Sequence, residues 1–191
     1  MPIEIVTLTP ADLRPYREQF LTITRDAFAA PPYNESEMGV RTIITVMERH
    51  ATLDGFRCVI AREDAGGPIL GFGYGFTGQP GLWWRDVVAH AMTPEQAAFW
   101  LADYFELTEL AVLTEARGRG IGSQLHDALI TGLPHRCALL STYRGDTPAM
   151  RLYRRRGWQI VLDDFYFPGV PTQYVILGLD LRQKAAPEDQ P

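Results

Sequence analysis

The sequence predicts an α/β fold: a mixed, centrally parallel sheet flanked by helices. Three observations carry this. From residue 104 the apolar pattern reads strand, helix, strand, helix, strand, and parallel neighbours need crossovers of that kind. Before it come an alternating strand, two helical stretches and a turn-rich hairpin. The chain has 191 residues, 46% of them hydrophobic, enough for one substantial core and little more. A single domain over 1–182 is therefore expected, with a polar tail at 183–191 expected to be disordered.

Taken in order, Ile3 to Leu8 alternates and reads as a strand. Thr9-Pro10 then suits a helix start, with the pattern running to about Ala29 before Pro31 and Pro32. A second helix spans about Ser36 to His50, with Asn34 or Ser36 as cap. Phe56 to Arg62 and Ile69 to Thr77 form a hairpin around a Gly- and Pro-rich turn. Glycines 71, 73 and 75 strip side chains from one face of its second strand, for either a close ligand or close packing. Gln79 to Asp103 is aromatic and irregular, apart from a capped helix signalled by Thr93-Pro94. There follow a strand at Tyr104 to Leu113, a helix at Gly120 to Thr131, a strand at Arg136 to Thr142 and a helix at Pro148 to Arg156. Strands at Trp158 to Phe165 and Gln173 to Leu181 complete the chain.

Composition excludes several classes. A net charge of -5 argues against general nucleic-acid binding, which requires many neutralised phosphates. The N-terminus MPIEIVTLTP lacks a basic start with an apolar core, and no window approaches the roughly 18 apolar residues of a membrane span, so a cytoplasmic protein without membrane association is expected. Cys58 and Cys137 match no metal or redox spacing and read as buried thiols. His50, His90, His126 and His135 are scattered, with no metal-like grouping, and His126 reads as a surface residue; no metal is expected. Between Glu115 and Gly157, however, eight arginines face only three acids, which suggests a local anion site.

The centre of that region is Arg117-Gly118-Arg119-Gly120-Ile121-Gly122-Ser123, where a strand turns into a helix. Glycines there free successive N–H groups to point outward, and the helix start adds unpaired donors and partial positive charge. Arg117 and Arg119 supply full charges, a combination suited to a diphosphate. Ile121, Leu125 and Leu129, at intervals of four, fasten the helix to the core. A dinucleotide fingerprint fails at Ser123, and a P-loop fails for want of its lysine.

The stretch resembles the acetyl-CoA signature of the GNAT-superfamily N-acetyltransferases: glutamine or arginine, two free positions, glycine, one free position, then glycine or alanine. Arg117, Gly120 and Gly122 fill it, behind the apolar Leu110-Ala111-Val112. Downstream, Asp146, Ala149, Leu152, Tyr153, Gly157 and Trp158 look like that family's N-x-x-A-x-x-L-Y-x-x-x-G-F element. Asp146 replaces the usual asparagine, which puts its contact with the coenzyme in doubt and leaves it as a helix cap with Thr147; Trp158 replaces phenylalanine. The resemblance covers about 104–158 firmly and the N-terminal part more loosely.

The resemblance implies a GNAT-like acyl-CoA N-acyltransferase fold and acetyl-CoA as co-substrate, its diphosphate on the amides of 118–123. The pantetheine arm would pair with the backbone of Leu110 and Val112 beside Ala111, with the Val112 N–H polarising the thioester carbonyl. Tyr153 matches the family's proton donor to the departing thiolate. For the base, strand alternation favours Glu106; Glu109 points the other way unless a bulge changes the parity, and water remains compatible with either. The acceptor, a primary amine of a small molecule or peptide, would meet Tyr33, Asn34 and Glu35, Trp83 and Trp84, and Tyr166, with Trp83 and Trp84 equally readable as a lid or as core. A CoA-binding sensor without catalysis, or a binder of another phosphorylated ligand, are the rival readings. A homodimer stays open.

Overall fold

The computed structural model describes residues 2–31 and 33–182, so Pro32 and the tail at 183–191 lie outside the described residues. Two compact units make up the chain. One comprises the residues up to Phe76 together with Leu107–Thr131; the other comprises Thr77–Glu106 and the chain from Gly132 onward.

In the first unit, β1 (Glu4–Leu8) pairs antiparallel with β2 (Arg57–Arg62), from Glu4 opposite Arg62 to Leu8 opposite Cys58. The antiparallel partner of β2 on its other edge is β3 (Ile69–Thr77). Helices α1 (Arg17–Phe28) and α2 (Glu37–His50) each bury one stripe: Phe20, Ile23, Thr24 and Ala27 on α1, and Val40, Ile44 and Met47 on α2. Ser36 caps α2 by accepting from the Gly39 N–H at 3.0 Å. The long helix expected from Thr9 is divided. Pro10–Asp12 and Arg14–Tyr16 form separate 3-10 turns before α1, because Pro15 has no N–H to continue an α-helical ladder.

Helix α5 (Ile121–Ile130) packs on β2 and β1. The open question about the β3 glycines is settled by this packing. A Cβ on Gly73 would lie 2.8 Å from Leu129 and 2.9 Å from Leu110, and one on Gly71 would lie 2.7 Å from the Ala111 carbonyl. At these two positions bare backbone admits neighbouring protein rather than a ligand.

The second unit holds β5 (Cys137–Tyr143), β6 (Gln159–Phe165) and β7 (Tyr174–Asp180), with β7 antiparallel to both others. Its helices are α3 (Trp83–Ala91), α4 (Pro94–Trp100) and α6 (Pro148–Arg155). Val88, Met92, Trp100 and Leu101 share one apolar cluster with Cys137, Leu139, Val161, Phe165 and Ile176. The Thr93 box caps α4 as its sequence indicates, and both cysteines are buried free thiols. The region expected to be irregular contains α3, which no sequence signal announced.

Strand β4 (Tyr104–Val112) contributes residues to both units. It runs parallel to β5 from Tyr104 opposite Cys137 to Glu106 opposite Leu139, then continues to Val112. The strand order is β1-β2-β3-β4-β5-β7-β6, a seven-stranded mixed sheet in which the central β4–β5 ladder is parallel. That matches the expected fold class.

Candidate active site

The first unit carries the glycine-arginine turn. After β4, a 3-10 turn at Thr114–Ala116 is tied back by the Thr114 N–H, which donates to Asp26 Oδ2 at 2.5 Å. Gly118 and Gly120 then take φ of +79° and +76°. Nothing lies within 4 Å of where either Cβ would stand, so the demand for glycine is conformational and not steric. Gly122 sits inside α5. Gly120 is the N-cap, and among the described residues no side chain caps α5 and no acid occupies its first turn. The first-turn N–H groups therefore keep their donor capacity, and the positive helix end is not neutralised. Arg117 to Gly120 are exposed, whereas Ile121 is buried and anchors the helix. The amides of 118–123 thus fit a diphosphate.

Arg57 holds the opposite end of α5, donating to the carbonyls of Leu129 at 3.0 Å and Thr131 at 2.8 Å. This satisfies C-terminal acceptors with a cation, a favourable arrangement for the helix dipole. No local pattern in the sequence marks Arg57 for this contact. His126, expected at the surface, is fully buried. The buried arc of α5 includes Leu125, His126, Leu129 and Ile130, wider than the single row at intervals of four.

Several of the arginines in the excess already have partners within their own unit. Arg144 pairs with Asp163 at 3.2 Å, Arg151 pairs with Asp146 at 2.9 Å, and Arg136 stacks 3.9 Å above the Phe99 ring. Within the turn, Arg119 pairs with Glu63 and Arg117 reaches the Val112 carbonyl at 3.4 Å. An anion at the turn therefore meets backbone donors first, with Arg119 already engaged.

Further along the first unit, the Leu110 and Val112 side chains face β3 and α5, close to where Cβ atoms on Gly73 and Gly71 would stand. The Gly78 N–H donates to the Tyr104 carbonyl and the Leu113 N–H to the Leu70 carbonyl, pairings one residue out of step with each other, so alternation is not regular along β4 and parity does not decide between Glu106 and Glu109. Glu109 is half-buried, and burial is the main cause that pushes its carboxyl up to about 7; the Leu110 N–H opposes this and the charge of Glu35 adds to it. Glu35 belongs to the segment before α2 in which Tyr33 also lies, with the Tyr33 ring edge-on to Phe28 at 4.9 Å. Glu109 and Glu35 thus act on one another electrostatically, an association invisible in the spacing of the sequence. A cleft of about 450 Å³ elsewhere in this unit, lined by Leu13, Arg14, Phe20, Ile44, Met47 and Glu48 among others, includes none of the sequence-predicted site residues.

In the second unit, Glu106 is 4% exposed, and burial pushes its carboxyl up to about 8. Tyr153 is buried on α6, its ring 5.5 Å from that of Trp158. Thr147 caps α6 by accepting from the Met150 N–H at 3.1 Å, so the Asp146 carboxylate turns to Arg151 instead of the helix end. Trp83 is 62% exposed and stacks on Phe167 at 5.3 Å, while Trp84 donates to Ser141 Oγ at 3.2 Å. Tyr166 is exposed. Trp83 is therefore free to meet a ligand, and Trp84 is fixed within its own unit. Among the described residues, no group of three or more His, Cys, Asp or Glu is placed to hold a metal, and no helix is long and apolar enough to cross a membrane.

An α/β fold with a seven-stranded mixed sheet carries a glycine-bounded helix start that no side chain caps, a class of site suited to an anionic ligand. The sequence model described as the Acetyltransferase (GNAT) family matches residues 18–158, and the chain belongs to that family. It is 32% identical over 204 aligned positions to a GCN5-like protein acetyltransferase of Mycobacterium tuberculosis, covering 95% of this chain and 99% of the relative. Among solved structures, an acetyltransferase of the GNAT family from Bacillus cereus superposes with a TM-score of 0.60 at 14% identity, over 94% of this chain and 98% of the other. The ribosomal-protein-S18-alanine N-acetyltransferase of Escherichia coli superposes at 0.59 and 16% identity, over 100% and 99%. The chain is an acetyltransferase of a family that uses acetyl-CoA, and the reading as a sensor without catalysis gives way.

Proposed function

We propose that the enzyme moves an acetyl group from acetyl-CoA to a primary amine of a small molecule or peptide, with cationic amines preferred. The observation that carries this reading is the carboxylate pair Glu109 and Glu35 in the segment pair that also contains Tyr33. A carboxylate whose proton affinity is raised by burial and by the charge of a second carboxylate gains from a cation bound nearby, and an aromatic ring adds to that attraction. The protein substrate in the name of the mycobacterial relative supports peptide amines as a further class.

In this reading the backbone amides of Gly118, Arg119, Gly120, Ile121, Gly122 and Ser123 hold the diphosphate, and Leu110, Ala111 and Val112 align the pantetheine arm. The thioester supplies the activated acetyl group. Holding both reactants in order accounts for much of the acceleration in a direct transfer. The Val112 N–H stabilises charge developing on the carbonyl oxygen. Glu106 accepts a proton from the acceptor ammonium so that the neutral amine can attack, and Tyr153 gives a proton to the departing thiolate. Both carboxylates with raised proton affinity, Glu106 and Glu109, suit general-base work near neutrality.

The test is thiol release from acetyl-CoA across polyamines, aminoglycosides, amino acids and peptide N-termini. Polyamines and aminoglycosides are expected to respond first. Acetyl-CoA binding without thiol release from any of them would overturn amine transfer, and uniformly faster turnover of acidic peptides would overturn the charge preference.

A further inference from the structure

The second unit sets a small group of polar side chains inside its apolar layer. Tyr104 is fully buried in a cluster with Val88, Met92, Trp100, Cys137 and Leu139. Its hydroxyl has no hydrogen-bond partner, and neither does the buried Nε of Arg85. The position is built for the ring: a Cβ on Gly78 would collide with the Tyr104 ring and hydroxyl, and the Gly78 N–H donates to the Tyr104 carbonyl at 3.0 Å. Next to Arg85, Trp84 donates to Ser141 Oγ at 3.2 Å, fixing this turn of α3 over β5.

Tyr104 and Glu106 stand two apart on β4, which puts their side chains on one face. Three charged groups act on the Tyr104 phenol: Glu106 from β4, and Arg85 and Asp86 from α3. Arg85 also pairs with Asp86 at 3.2 Å. Burial and Glu106 raise the proton affinity of the phenol above its ordinary value, against Arg85, so it remains an O–H donor throughout the working pH range. A buried hydroxyl and a buried guanidinium N–H without partners are costly, and an internal water with two to four polar neighbours relieves both.

We propose that Tyr104 is a positioning residue whose hydroxyl, backed by Arg85, holds an internal water against the Glu106 carboxyl and so sets when Glu106 gains or loses its proton. The inference rests on Glu106 as the proton acceptor and extends that role to residues of α3 and β4. The acceptor ammonium gives a proton to the water as the water passes one to the Glu106 carboxylate. A neutral amine and a Glu106 carboxylic acid result, and exchange with solvent resets the carboxylate.

Infrared titration of the protein without acceptor tests this, with the Glu106→Gln spectrum subtracted to isolate the protonated carboxyl band. In the wild type the band should disappear with a midpoint near 8. Tyr104→Phe keeps the ring and removes the donor, and should raise the midpoint by about one pH unit. Arg85→Met should raise it by less. A Tyr104→Phe midpoint equal to the wild-type value would overturn the proposal, as would a lowered one. Calorimetry with CoA on the same proteins separates the two levels: failure of the wild type to bind CoA defeats the acetyl-CoA reading, while the carboxyl midpoint still decides the role of Tyr104.

Discussion

At the start of α5 the donors are main-chain N–H groups on exposed chain, whereas beneath α3 they are the Tyr104 O–H and the Arg85 Nε–H inside a buried layer. The first region depends on two φ angles, those of Gly118 and Gly120, and on little about neighbouring side chains. The second depends on residues brought together from separate segments: Gly78, Arg85, Tyr104 and Glu106. A site made of backbone is broken by changing conformation. A site made of side chains is broken by deleting single atoms, and its signature is a shifted titration.

The largest effect should come from forcing the backbone site. Gly120→Asp places a side chain at a φ of +76° and an anion beside the diphosphate site. Calorimetry should show acetyl-CoA affinity falling by about 100-fold or more, roughly 3 kcal/mol. An effect of similar size, on turnover and not on affinity, belongs to Tyr153→Phe. Turnover in thiol release should fall by about 100-fold while acetyl-CoA affinity is kept. Full turnover in that variant would remove Tyr153 from the chemistry.

Glu106 sharpens the comparison through pH. Its carboxyl is raised from an ordinary 4.5 to about 8 by burial, so the folded state holds a proton that the unfolded state releases. Stability from this group is complete below about pH 4.5 and is lost as pH rises toward 8. Thermal melts should therefore show Glu106→Gln gaining on the wild type between pH 5 and 9, by a few kcal/mol at most as an order of magnitude. In the wild type, transfer should rise with pH through a midpoint near 8; a midpoint near 7, unchanged in Glu106→Gln and abolished in Glu109→Gln, would move the base to Glu109. The smallest effect is expected at Glu63→Gln. Releasing Arg119 from its half-exposed ion pair should tighten CoA binding by about two- to three-fold, the scale of an exposed pair.

The two regions also differ in how well the sequence disclosed them. The α5 turn was legible because a left-handed φ demands glycine locally, and Arg117 to Ser123 lie together in the chain. Helix α3 was not, because its N-cap is Leu82, which offers no capping side chain, and Trp83-Trp84 opens it in place of a usual start signal. Pro15 divided the helix expected after Thr9. The electrostatic link between Glu35 and Glu109 and the clamp of Arg57 on α5 arise from packing between distant segments. The step in register along β4 left no mark in the residue pattern, and no pattern could reveal that the charge of Glu35 acts on Glu109.

The central claim is that α5 grips the coenzyme through backbone hydrogens at its start. Calorimetric titration of the wild-type protein with CoA and, separately, with pantetheine, which lacks the diphosphate, tests it most directly. CoA should bind at least about 100-fold more tightly, the scale of several charge-assisted hydrogen bonds. Equal affinity for the two would contradict it.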